Sequence, residues 1–169
     1  MDAYQAMTFA REAHKDQRRK YTGNPYADHL AEVVGIALTC CPEKLRPDVM
    51  AQVAWLHDCV EDQGITVEVL AEKFGAIVAV AVQYLSDTET GNRAERKAAS
   101  RKRLAGAWHW VQTIKVADLI SNTASIVQHD PKFAVVYLEE KRLLLDALTK
   151  ADPRLISIAR QQLRAAAVG

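Results

Sequence analysis

Apolar residues recur at helical spacing along almost the whole chain. Over residues 2–16, Ala6, Phe9, Ala10 and Ala13 fall on one face, which predicts an amphipathic helix. The same period runs through Leu30, Val33, Val34, Ala37 and Leu38 and predicts a helix over 28–40. Pro47 suits a first helical turn, and Met50, Val53, Ala54 and His57 share one side of a third helix that Gln63-Gly64 ends. Thr66 is the expected N-cap and Gly75 the expected stop of the next helix. The stretch "AIVAVAV" that follows has residue types suited to a buried strand, but its continuous helical period favours a helix over 76–86. Further helices are expected over 93–105 and 108–128, with a break near Gly106. Pro131 opens another to about residue 150, and Asp152-Pro153 caps and starts the last. "YTGNPY" and "SDTETGN" read as loops, and no segment alternates convincingly as a strand. The expectation is an all-α fold, one domain over 1–169, with about eight or nine helices.

One stretch breaks the apolar pattern. Residues 55–62 read "WLHDCVED", placing His57, Asp58, Glu61 and Asp62 among Trp55, Leu56 and Val60. Helical spacing pairs His57 with Glu61 and Asp58 with Asp62. Unpaired charge is costly to bury, so these groups need partners. A divalent ion would serve, with other ligands drawn from elsewhere. His29, following "NPYAD", and Asp118, in the apolar run "IKVADLISN", are the candidates. On residues alone a second reading stands beside it: His-Asp pairs that tie helices together, and a solvated helix end. H-E-x-x-H is absent, so zinc-protease chemistry has little support.

Composition narrows the function classes. Hydrophobic residues make up 49% and charged residues 25% of the chain, an ordinary globular balance. A net charge of +1 gives no bulk attraction to nucleic acid or anionic membrane, so any basic site is local. Two basic clusters exist: Arg18-Arg19-Lys20, and a run containing Arg93, Arg96, Lys97, Arg101, Lys102 and Arg103. The second reads mainly as a solvated helix face; it lacks the interleaved aromatics of a nucleic-acid platform. The three cysteines, Cys40, Cys41 and Cys59, contain no C-x-x-C pair and are expected to be reduced core thiols. Neither a signal peptide nor a transmembrane stretch is expected, which points to a cytoplasmic protein.

In order along the chain, "AHKDQRRK", "GNPYADH", "WLHDCVED", "FGAIV", "ERK", "KVADLISN" and "YLEE" resemble the hydrolase domain of RelA/SpoT-type alarmone enzymes. These belong to the HD-domain metal-dependent phosphohydrolases, and the resemblance is strongest to the stand-alone small alarmone hydrolases. It implies that His29, His57, Asp58 and Asp118 hold one divalent ion, typically Mn²⁺, with Fe²⁺, Co²⁺ or Zn²⁺ as substitutes. It implies that Glu61 and Asp62 are the catalytic acidic pair. It places Arg19, Lys20, Tyr26, Asn122 and Tyr137 along the nucleotide pocket, with Arg93 and Lys97 the first candidates in the second basic run. His14, His109, His129, Trp108 and Trp110 receive no functional role. The implied reaction is hydrolysis of the 3′-diphosphate of (p)ppGpp or (p)ppApp to pyrophosphate and a 5′-nucleotide. Alternatives are another HD-domain phosphohydrolase acting on a nucleotide or phosphate monoester, and a non-catalytic alarmone-binding module. The chain departs from the common family pattern at Leu30, Leu119 and Ser121, where proline, lysine and tyrosine are usual. Base preference and oligomeric state stay open.

Overall fold

The computed structural model describes residues 1–168 and the side chains of 1–166. Among the described residues it is all-α, with ten helical segments and no strand. They are α1 (Ala3–Ala13), α2 (Tyr26–Leu38), α3 (Pro47–Leu56), α4 (Cys59–Gln63), α5 (Val67–Phe74), α6 (Ala76–Leu85), α7 (Arg93–Gly106), α8 (His109–His129), α9 (Pro131–Ala147) and α10 (Pro153–Val168).

Local chemistry sets most of these boundaries. Asp2 and Gln5 form a capping box on α1, and Asn92 and Glu95 form another on α7. Thr66 accepts a hydrogen bond from the Val69 N–H, and Asp130 one from the Phe133 N–H. Gly64 closes α4 at φ 63°, a left-handed conformation that glycine adopts without a Cβ penalty. The stretch expected to be strand or helix over 76–86 is helix α6.

Helix α8 is the centre of the molecule. It packs against α2, α9, α10 and α6, while α3 packs against α2, α1 and α6. Leu30, Leu56 and Ile114 are fully buried where these helices meet; burial of such a side chain contributes roughly 1.5–3 kcal/mol. The helices α2, α3 and α8, which bring His29, His57 and Asp118 together, are therefore firmly packed.

Two expectations are corrected. The helix predicted from Pro47 to Gln63 is interrupted at His57 and Asp58, with Asp58 at φ −99°, ψ −2°. Helix α9 stops at Ala147 rather than near 150. The cysteines are free, as expected, but only Cys40 and Cys59 are buried; Cys41 is half-buried.

Candidate active site

The interruption between α3 and α4 builds the site. Consecutive side chains on a continuous helix diverge by about 100°, which would aim His57 and Asp58 in different directions. With the helix broken there, His57 Nε2 lies 2.9 Å from Asp58 Oδ2. Helix α2 adds His29, whose Nε2 is 3.6 Å from Asp58 Oδ2 and 3.2 Å from Asp118 Oδ1 on α8. Donor atoms of His29, His57 and Asp118 all fall within 4.8 Å of one another.

The outer nitrogens of both imidazoles are committed. His57 Nδ1 lies 2.7 Å from the Ala54 carbonyl oxygen, so it donates. His29 Nδ1 lies 2.8 Å from Ser121 Oγ, and that hydroxyl donates to Glu32 Oε2 at 2.6 Å. Ser121 therefore accepts from the His29 Nδ1–H. Each ring is left with Nε2 facing the cluster, buried and without a hydrogen-bond partner. Two buried orphaned nitrogens beside two carboxylates could hold a divalent cation.

Asp118 is 6% exposed and uses its two oxygens differently. Lys115 Nζ holds Oδ2 at 2.9 Å, and the Asn122 amide donates to Oδ1 at 2.7 Å. Burial alone would raise its pKa, but Lys115, followed by His29 and His57, holds the carboxyl well below the usual range. The Asp58 carboxyl is lowered likewise: burial opposes, and His57 and His29 prevail. Burial disfavours charge on His29, yet Asp118 and Asp58 push its pKa up to about 9. The Tyr26 hydroxyl donates to Asp58 Oδ2 at 2.7 Å.

A cleft of about 230 Å³ opens over this cluster and is lined by Glu61, Asp62, Asn122 and Tyr137 among others. Glu61 Oε2 accepts the Asp87 backbone N–H at 2.9 Å. Partial burial pushes the Glu61 carboxyl upward, against the lowering effect of that N–H. Asp62 Oδ2 accepts from Gln17 Nε2 at 2.7 Å. A second cleft of about 280 Å³, lined by Arg19, Lys20, Tyr21 and Phe133, shares Tyr26 and Asn122 with the first. Arg19 Nη1 donates to Asn122 Oδ1 at 3.2 Å where the two meet.

Arg18, Arg96, Lys102 and Arg103 of the basic clusters line neither cleft, whereas every candidate site residue implied by the family resemblance reaches the cluster or a cleft wall. Tyr137 does so with its hydroxyl 3.3 Å from the Leu119 carbonyl oxygen and from Thr123 Oγ1. Arg93 and Lys97 arrive already paired, with Glu140 and Asp87. Several contributors escaped the sequence reading. His14, given no role there, is 2% exposed and stacks on Tyr26 at 5.1 Å. Its Nδ1 lies 2.6 Å from Gln17 Oε1, the residue that holds Asp62. Lys115, three residues before Asp118, carried a helical-spacing signal. Ser121, Glu32 and Asp87 had none.

Fold and cluster together define the class: the chain belongs to the HD domain family, which matches residues 6–141. Within it the chain is similar to proteins named guanosine-3′,5′-bis(diphosphate) 3′-pyrophosphohydrolase MESH1. It is 34% identical to the Danio rerio protein over 130 residues, covering 76% of this chain and 71% of that one. Against the Homo sapiens protein it is 31% identical over the same shares. Its fold matches a solved metazoan ortholog of SpoT that hydrolyzes ppGpp, with a TM-score of 0.84 over 96% of this chain and 94% of the other, at 23% identity. A Listeria monocytogenes protein matches with a TM-score of 0.68 over 86% and 97%, at 22% identity.

Proposed function

We propose that this chain is a divalent-cation-dependent 3′-pyrophosphohydrolase of alarmone nucleotides, converting (p)ppGpp or (p)ppApp to pyrophosphate and the 5′-nucleotide. The observation that carries this reading is the meeting of two orphaned imidazole nitrogens with Asp118 and Asp58 at the floor of a cleft. The names of the MESH1 relatives supply the substrate class.

His29, His57, Asp58 and Asp118 would hold one ion, and Mn²⁺ suits this mixture of imidazole and carboxylate ligands. Bound there, the cation supplies positive charge that polarises a phosphoryl group. The protein's own groups manage the rest. Glu61, with its pKa raised, can take a proton from attacking water and return one to the leaving oxygen. Asp62, steadied by Gln17, orients the water. Arg19, Lys20 and the aromatic Tyr21 and Phe133 offer the second cleft to the base, while Asn122 and Tyr137 line the path of the ribose.

The test is side-by-side hydrolysis of guanosine and adenosine 3′,5′-bis(diphosphates) with Mn²⁺ added to metal-stripped protein. Release of pyrophosphate that stops on stripping supports the proposal. Absence of pyrophosphate from both nucleotides with Mn²⁺, Fe²⁺ and Co²⁺ overturns it.

A further inference from the structure

Five cations line the cleft over the His-Asp cluster: Arg93, Lys97, Arg101, Lys115 and Lys141. Three are held by carboxylates. Arg93 makes a two-pronged contact with Glu140 at 2.6 and 2.8 Å, Lys97 meets Asp87 at 2.9 Å, and Lys115 meets Asp118 at 2.9 Å. Arg101 and Lys141 have no carboxylate partner among the described residues. A polyanion entering the cleft would have to displace acids to reach the first three. It would find the last two unclaimed.

Lys141 is the more telling. It is 1% exposed, and its ammonium donates to two neutral oxygens, Thr123 Oγ1 and Gln162 Oε1, each at 2.7 Å. A lysine ammonium has three N–H donors, so one remains without a protein acceptor among the described residues. A buried cation with only neutral partners is costly, and burial draws its pKa down to about 8. If its purpose were only to bridge α8, α9 and α10, a neutral side chain would serve without that cost. Lys141 also stands apart from the ligand cluster. It pairs with neither Asp58 nor Asp118, and its contact Thr123 lies five residues beyond Asp118 on α8, a rise of about 7.5 Å.

We infer that Lys141 and Arg101 form a phosphate-recognition site that takes the 5′-phosphate chain of the nucleotide while its 3′-diphosphate lies at the His-Asp cluster. This deepens the function proposed above and rests on it. Lys141 and Arg101 are then specificity-determining residues, distinct from Arg93 and Lys97.

The test compares two substrates, guanosine 3′,5′-bis(diphosphate) and guanosine 3′-diphosphate lacking 5′-phosphate, across wild type, Lys141→Met, Lys141→Arg and Arg101→Ala. Loss of a charge-assisted hydrogen bond should raise KM for the first substrate about 10- to 100-fold in Lys141→Met. The kcat should change little, and KM for the second substrate should not move. Lys141→Arg should recover much of the loss, and Arg101→Ala should show the same pattern more weakly. KM unchanged in both neutralised variants, or raised equally for both substrates, overturns the inference. If Lys141→Met does not fold, Arg101→Ala decides by the same two criteria. If wild type hydrolyses neither nucleotide, the proposed function fails by itself. Calorimetric binding of inorganic tripolyphosphate then judges this site: weaker binding in the variants supports it, and equal or absent binding overturns it.

Discussion

Replacing Ser121 with alanine should weaken the cation site without touching any residue that faces it. Ser121 is 9% exposed and relays between the His29 Nδ1–H, at 2.8 Å, and Glu32 Oε2, at 2.6 Å. Glu32 is exposed and can recover a partner from water. His29 is 1% exposed and cannot. Stranding a buried donor costs about 1–3 kcal/mol, so the metal-free protein should melt a few degrees lower, at roughly 2–4 °C per kcal/mol for a domain of this size. The ring would also lose what fixes its orientation and its tautomer, and such outer partners are typically worth about 10- to 100-fold in metal affinity. The assay is chelator competition for Mn²⁺ on wild type and Ser121→Ala, with circular dichroism to establish that both are folded. A folded variant whose Mn²⁺ affinity stays within about twofold of wild type, well below that expected loss, would refute the argument that the Ser121 relay prepares His29.

Asp58→Ala removes a carboxylate that meets both imidazoles and the Tyr26 hydroxyl, so Mn²⁺ retention, read by elemental analysis after gel filtration, should be lost together with turnover. Glu61→Gln should retain the ion while kcat falls by about 10²- to 10⁴-fold; unchanged kcat would remove Glu61 from the chemistry. Gln17→Leu should lower kcat more than it changes KM, because Asp62 loses its donor while the cleft keeps its shape. Burial opposes charge on Asp87, but Lys115, Ser100 and Lys97 hold its carboxyl far below the usual value. A depressed folded pKa stabilises above the unfolded value, near 4, and that stability is lost as pH falls through the folded one. Asp87→Asn should therefore be less stable than wild type by about 1–3 kcal/mol at pH 7, with the gap in urea melts narrowing below about pH 4.

What the sequence made legible was what local backbone chemistry controls. Pro47, Pro131 and Pro153 open helices, and Gly64 and Gly75 close them, because each acts through its own φ or its missing N–H. The candidate residues His29, His57, Asp58 and Asp118 stood out because acids and imidazoles in apolar runs demand partners, while their reading as one ligand set came from the family resemblance. The break at His57–Asp58 was not legible, because the helical periodicity continues through it. Ser121 and Glu32 lie 89 positions apart, and no local pattern announces their meeting. Asp87 looked like one loop acid among several, yet it gathers Lys97, Ser100 and Arg103 and steadies Glu61 through its backbone. A sequence displays charge; it does not display which charges are already spent, and so Arg93 and Lys97 outranked Arg101.

Helix α10 begins beyond residue 141, where the match to the HD domain family stops. It nonetheless supplies the back wall of α8. Leu155 and Ala159 are buried, and Gln162 donates to the Ile120 carbonyl oxygen at 3.1 Å. The turn before it satisfies Gln112 and Thr113 through the backbone of Lys150 and Asp152. A protein truncated at the family boundary would bare one side of the helix that carries Asp118 and strand polar groups inside it. We therefore expect the cooperative unit to be larger than the shared motif, and protease cuts in the 148–152 turn to silence the enzyme from a distance.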